Sequence, residues 1–355
     1  MPRVRPMSVI ERLDELYAIG GGRGANRLGG SREEDEAHEL VAGWMREAGL
    51  EVSVDSTRNL FGRLPGRRPE LEEVWTGSHL DSVPEGGRFD GALGVVGGLE
   101  AVARAGRRER TLAVVAFRDE EGCSGPGCAG SRGFCESGAP RPGSFLELHV
   151  EQGPRLERLG APLAVVTGIV ATARGEVVFE GEPGHAGTTP MAARRDALVE
   201  AAEFVLGLPA AAAAVEDSVA TVGRLSVEPG ASNVIPGRVV LSVDVRAPDD
   251  AGLEQILADV PGVLRRSAAV AMAEEPTAAL RQEVERLALP VVELASGAGH
   301  DAGVLASAGV PTAMLFVRSL NGGISHSPEE LSDEADVELG IQVLTGALAR
   351  LGAVD

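Results

Sequence analysis

The run Val74-Trp75-Thr76 passes directly into Gly77-Ser78-His79-Leu80-Asp81, and this junction decides how the rest of the chain is read. A short apolar run that stops at glycine is a buried strand giving way to a loop, here a loop with an imidazole and a carboxylate two residues apart. A glycine-rich turn, Gly87-Arg88-Phe89-Asp90-Gly91, follows, and helical spacing then carries Leu93 to Ala105. The valine-rich run Thr111 to Phe117 ends on Asp119-Glu120-Glu121-Gly122, and Phe145 to Val150 carries His149 and leads to Glu151. Alternating strand and helix predicts an α/β class domain with a mixed, largely parallel, doubly wound sheet. Upstream, Val9 to Leu16 has helical spacing, and Ser31 with Glu34 reads as a capping box opening a helix that Gly49 ends. From Gly168 the texture changes to strands at Glu176 to Glu180, Val219 to Val227 and Val239 to Val245, around an alanine-rich helix from Arg194 to Leu206. Beyond Ala273 the first texture resumes, with a helix near Ala279 to Leu287, a strand at Val310 to Val317 and a last helix from Asp333 to Leu351. The expected organisation is one α/β domain, 1–168 with 276–355, interrupted by a smaller α+β domain, 169–275. The alanine run Ala210 to Ala214 reads as a loop or cap.

Composition narrows the partners. A formal net charge of −20 over 355 residues lacks the basic footprint that nucleic acids and anionic membranes require. Apolar runs such as Leu206 to Val215 fall short of a membrane span, and Met1 to Ile10 has no signal-peptide core. Three cysteines, Cys123, Cys128 and Cys135, match neither a redox nor a zinc-ribbon spacing, so a reducing, cytoplasmic setting is expected. Every basic residue is arginine, which excludes a Schiff-base lysine and a Walker-type phosphate loop.

Ligands of open α/β sheets bind beyond the carboxyl ends of the strands. His79 and Asp81, Asp119 to Glu121, His149 and Glu151, and His326 all follow predicted strands, and Asp90 opens the helix between two of them. Imidazoles and carboxylates gathered there would repel and be costly to bury unless a divalent metal neutralised them. Mixed nitrogen and oxygen donors suit zinc, with manganese or cobalt as substitutes, and a central carboxylate can bridge two ions. His38 falls on the polar part of a predicted helix and is left outside this group.

Eight segments carry a resemblance: Gly77 to Pro84, Gly87 to Gly91, Asp119 to Gly122, Glu147 to Gly153, Gly184 to Met191, Ser232 to Gly237, Gly297 to Asp301 and Gly322 to Pro328. Together they resemble the N-carbamoyl-L-amino-acid hydrolase, allantoate amidohydrolase and β-ureidopropionase group of the co-catalytic metallopeptidase superfamily. The resemblance implies two divalent ions per chain, a small carboxylate-bearing substrate, and a homodimer formed through the inserted lid domain. It implies that His79, His149, Glu121 and His326 bind metal, that Asp90 bridges, that Glu120 is the general base and that Asp81 orients His79. In the insert, it implies that His185 reaches an active site across the dimer, while Asn233 and Arg246, aided by Gln152, hold the substrate carboxylate. One departure is visible: the Gly/Pro-rich stretch between Glu121 and His149 is shorter than in relatives, which bears on the pocket walls more than on the metal ligands. The rival readings are an N-acyl amino acid or dipeptide hydrolase on the same metals, and a non-catalytic binding protein, whose signature would be a missing ligand or base.

Overall fold

A computed structural model of the chain describes residues 7–354, so residues 1–6 of the Met1 to Ile10 stretch lie outside the described residues. It divides into two compact units: residues up to Thr167 together with those from Ala271 onward, and Gly168–Val270. In chain order the strands are β1 (Glu51–Val54), β2 (Leu60–Leu64), β3 (Val74–His79), β4 (Leu112–Phe117), β5 (Ser144–Val150), β6 (Leu163–Ile169), β7 (Ala171–Glu180), β8 (Val219–Glu228), β9 (Arg238–Ala247), β10 (Arg265–Ser267), β11 (Val270–Ala271), β12 (Glu293–Ser296) and β13 (Thr312–Val317).

The first unit is built on a nine-stranded mixed sheet ordered β1-β2-β4-β3-β5-β13-β6-β11, with β12 beside β6. Its centre, β4-β3-β5-β13, is parallel, while β2 and β6 flank it antiparallel. All residues of the four central strands are buried, as expected of parallel strands covered on both faces, whose sequences read as continuous apolar runs. Alternate residues serve the two faces. Val74, Val114, Leu146, Leu148 and Leu315 share a core with Leu93, Val96 and Leu99 of the helix Ala92–Ala105 and with Ile341 and Leu344 of the helix Glu334–Leu351. Trp75, Val115, Phe145 and Phe316 are equally buried in the alternate register.

Only half of the capping box expected at Ser31 forms, while a complete one opens the first helix. Ser8 and Glu11 form the reciprocal pair, whereas Ser31 caps Glu34 N–H and the Glu34 carboxylate instead accepts from Gly30 N–H and Asp119 N–H. His38 is corrected too: it is buried, both ring nitrogens lack a hydrogen-bond partner, and burial drives its pKa well below the ordinary value. Its helix turns Ala37, Val41 and Met45 into the core, and His38 follows them inward with Glu34.

In the second unit β10-β7-β9-β8 form an antiparallel sheet. The burial of β9 alternates strictly, with Val239, Leu241, Val243, Val245 and Ala247 buried, the mark of a sheet covered on one face. The helix Ala197–Ala213 covers it and contains Ala210 to Ala213, the run expected to be a loop. Alanine is the best helix former, and Leu208 and Ala212 are buried in the same core as Val177 and Val243, so packing carries the helix past Pro209. The chain rejoins the first unit at Ala271, rather than at 276, because Val270–Ala271 belongs to the large sheet. Among the described residues no helix is long and apolar enough to cross a membrane.

Candidate metal centre

The first unit brings the strand-end residues together. His79 is the last residue of β3, Glu120 and Glu121 follow β4, His149 is next to last in β5, and His326 lies in the loop after β13. Asp90 arrives on the turn before the helix Ala92–Ala105, where its backbone N–H and that of Phe89 donate to Glu330 Oε1 at 3.1 and 2.7 Å. Gly91 makes that turn possible: it has φ +63°, and a Cβ there would sit 2.4 Å from the His79 ring. The buried imidazole occupies the space that any other residue would need.

Asp90 divides its two oxygens. Oδ1 lies 3.6 Å from His79 Nε2 and 3.2 Å from His149 Nε2. Oδ2 lies 3.3 Å from His326 Nε2, which is in turn 3.4 Å from Glu121 Oε2. Two donor sets therefore share one carboxylate: His79, Asp90 and His149, all buried, and Asp90, Glu121 and the half-exposed His326. Gln152 Nε2 donates to Asp90 Oδ2 at 2.8 Å, so its carboxamide steadies the shared carboxylate.

The residues fit a metal on two observations. His149 Nε2 is buried and has no hydrogen-bond partner, while its Nδ1 faces the Val150 carbonyl at 2.9 Å. A carbonyl only accepts, so the proton sits on Nδ1 and the Nε2 lone pair is left facing Asp90. His79 repeats the arrangement, with Nδ1 at 3.2 Å from the Asp81 carbonyl and 3.3 Å from Asp81 Oδ1. Asp81 also receives Glu120 N–H and Glu121 N–H at 3.0 and 3.1 Å, which ties the β3 and β4 loops together. A buried ligand nitrogen left without a partner beside a shared carboxylate, as His149 Nε2 is, is costly without a cation.

Protons compete with cations for this cluster. Burial pushes His79 toward neutrality, but Glu120, Asp81 and Asp90 outweigh it and hold its pKa well above the ordinary value. Facing Asp90 raises His326 to about 9. Burial, then repulsion from Asp90, lifts Glu121 to about 7. Because both must be deprotonated to bind an ion, metal affinity is expected to rise with pH between about 7 and 9 and binding to release protons. Titration calorimetry in buffers of different ionisation enthalpy measures that release; affinity independent of pH over this window contradicts the assignment.

Glu120 stands beside the cluster, its Oε2 3.8 Å from His79 Nε2. Burial, then the charges of Asp301, Glu121 and Asp81, raise its pKa well above the ordinary value.

Several buried residues that serve the centre carried no role in the sequence. The Glu147 oxygens accept from Ser78 Oγ at 2.6 Å and Ala302 N–H at 2.8 Å, so this carboxylate is a brace rather than a ligand. His300 meets the His149 ring edge to face, centroids 4.5 Å apart, with its Nε2 2.8 Å from Ser296 Oγ. Asp301 accepts from Ser131 Oγ at 2.6 Å, and burial followed by repulsion from Glu147 pushes its pKa up to about 8. Arg27, fully buried, donates to the Leu80 carbonyl at 2.7 Å and brings positive charge close to Asp81, Asp90 and Glu330. The only available signal was the glycine-rich segment around His300 and Asp301.

Within the second unit, His185 and Asn233 lie together: Ala186 N–H donates to the Asn233 carbonyl at 3.0 Å, and Ile235 N–H to the Gly184 carbonyl at 2.8 Å. Both side chains are exposed. Arg246 is not beside them. It sits near the far end of β9, paired with Asp244 at 3.1 Å, and at about 3.3 Å of rise per strand residue the length of β9 separates it from the Asn233 turn.

Comparison with known proteins agrees with this geometry. The family described as peptidase family M20/M25/M40 matches residues 75–350. The chain is 36% identical to an N-carbamoyl-L-amino acid amidohydrolase of Geobacillus stearothermophilus, over 94% of this chain and 95% of that one. That match runs over 392 positions, more than the 355 residues of this chain, so the relative carries segments with no counterpart here. An allantoate amidohydrolase of Bacillus subtilis is 33% identical over 96% of each chain. Among solved structures, an amidase of the hydantoinase/carbamoylase family from Burkholderia multivorans superposes with a TM-score of 0.88 at 34% identity, covering 96% of both chains.

Proposed function

Since this chain belongs to the peptidase family M20/M25/M40, whose members are metal-dependent, we propose that it hydrolyses the ureido C–N bond of an N-carbamoyl-L-amino acid. The observation that carries this reading is the Asp90 carboxylate shared between His79 with His149 and Glu121 with His326. Two divalent ions are proposed there, zinc first, with manganese or cobalt as substitutes. When bound, they supply Lewis acidity, lowering the pKa of a water and polarising the substrate carbonyl.

The chain's own residues do the rest. Glu120 takes a proton from the attacking water on the oxygen that faces His79, and passes it to the leaving nitrogen. His185 donates to the oxygen on which negative charge develops. Arg246 offers a bidentate fork to the substrate carboxylate, with Asn233 as a second donor and Gln152 as support. The separation of Asn233 and Arg246 along β9 favours a homodimer in which His185 and Asn233 of one protomer work with Arg246 of its partner. The three free cysteines support a reducing, cytoplasmic setting.

Water adds to the carbamoyl carbon, the C–N bond to the amino acid breaks, and the carbamic acid released falls apart to carbon dioxide and ammonia. The products therefore distinguish the readings. Incubation with N-carbamoyl-L-amino acids should release ammonia and free amino acid in equal amounts. An N-acyl amino acid releases the amino acid without ammonia, and turnover confined to such substrates would replace the ureido reading by an acyl one. Allantoate is the second ureido candidate, favoured by the similarity to the Bacillus subtilis protein, and the same assay run on allantoate decides between the two.

A further inference from the structure

The loop between Glu121 and the helix Ala129–Glu136 holds a thiol that the reading above does not use. Cys128 Sγ lies 3.4 Å from Glu120 Oε1. The Cys128 backbone N–H also donates to the Glu120 carbonyl, at 2.8 Å. Among the described residues no other side-chain or backbone donor reaches the Glu120 carboxylate, whose Oε2 is the oxygen near His79. Cys128 holds a left-handed backbone conformation, φ +59°, at the start of the helix, and its side chain and its N–H both meet Glu120.

We propose that Cys128 is a positioning residue for Glu120: its thiol engages Oε1 and thereby leaves Oε2 as the oxygen that exchanges protons at the centre. The inference rests on Glu120 being the proton carrier. A carboxylate has two chemically equivalent oxygens and a free terminal torsion, so an unanchored Glu120 would present either oxygen, or neither, to the reacting water. A donor on one oxygen removes that freedom. Burial, followed by the adjacent Glu120 charge, keeps the thiol protonated and so a donor rather than a nucleophile. Neither Cys123, whose Sγ faces the Ser82 carbonyl at 3.8 Å, nor Cys135 has this contact.

The test is a double-mutant cycle on the metal-loaded protein, with Cys128→Ala, Cys128→Ser and Glu120→Gln. All the side chains tried at 128 carry a Cβ, so the left-handed backbone is equally strained in each. Cys128→Ala should lower kcat about threefold to tenfold, the usual worth of one hydrogen bond, with KM and metal content unchanged. Cys128→Ser, which keeps a donor, should recover most of the loss. In the Glu120→Gln background Cys128→Ala should have no further effect on the residual rate. An unchanged kcat in Cys128→Ala, failure of serine to rescue, or an equal loss in both backgrounds overturns the proposal. If Cys128→Ala fails to fold, the serine variant decides alone: a loss of kcat as deep as that of Glu120→Gln counts against a positioning role. Near-normal turnover of Glu120→Gln points to a different failure, that of the proton-carrier assignment itself.

Discussion

Glu120→Gln is expected to bind metal normally and to lose turnover by about 10²–10⁴-fold, the range that a positioned general base contributes. Glutamine preserves the shape of the side chain. The loop that carries it is held through its backbone, with Glu120 N–H donating to Asp81 Oδ1 at 3.0 Å, so the loop should stay where it is. What disappears is the ability to accept a proton beside His79. Glu121→Ala is the contrasting change. Its Oε2 faces His326 across 3.4 Å, and removing it takes away a donor of the set that includes the half-exposed histidine, so metal content should fall along with activity. Steady-state kinetics paired with elemental analysis separates the two effects. A Glu120→Gln protein with near-normal turnover would show that the proton acceptor is another group.

Exhaustive chelation should abolish activity, and zinc, manganese or cobalt should restore it at a stoichiometry of up to two ions per chain. Stability should follow occupancy. A ligand that binds only the folded state adds about 2.7 kcal/mol at a free concentration of 100 Kd and about 4.1 kcal/mol at 1,000 Kd, which scanning calorimetry resolves as a higher melting temperature. The centre explains the sensitivity. Asp81, Asp90, Glu120 and Glu121 converge within one buried region, and without cations they are relieved by protonated histidines, by the nearby Arg27 charge and by the raised pKa values of Glu120 and Glu121. Full turnover in protein shown by elemental analysis to be free of metal would overturn the metal requirement.

The centre of the large sheet was legible because parallel strands covered on both faces are written as unbroken apolar runs, and β3, β4, β5 and β13 are such runs. The flanking strands were not. β1 is largely exposed and only four residues long, and β2 carries Gly62 and Arg63 inside it, so neither shows a run or a clean alternation. His79, Glu121, His149 and His326 could be picked out because they stand at strand ends or in the loops that follow, where polar residues interrupt an apolar pattern, and Asp90 because it stands in a glycine-rich turn that opens a helix. Glu147, His300 and Glu330 could not, because they act through hydrogen bonds inside the packed unit, and no spacing along the chain marks a brace. Glu330 anchors the Asp90 backbone across the fold, from 240 residues further along the chain. His38 failed for a related reason: a polar residue whose helix turns it inward is buried by the company it keeps.

The space beside Gly91 has a bearing on how this protein can be diversified in the laboratory. A Cβ at that position would meet the His79 ring at 2.4 Å, and the backbone lies at a φ that other residues rarely adopt. No codon but glycine is compatible with the imidazole in place, so a randomised library that includes position 91 spends its members on proteins with a displaced His79. Selection for altered substrate range would recover only the parent there, however strong the pressure. Variation that reaches new chemistry has to be sown at positions whose side chains already have room to change.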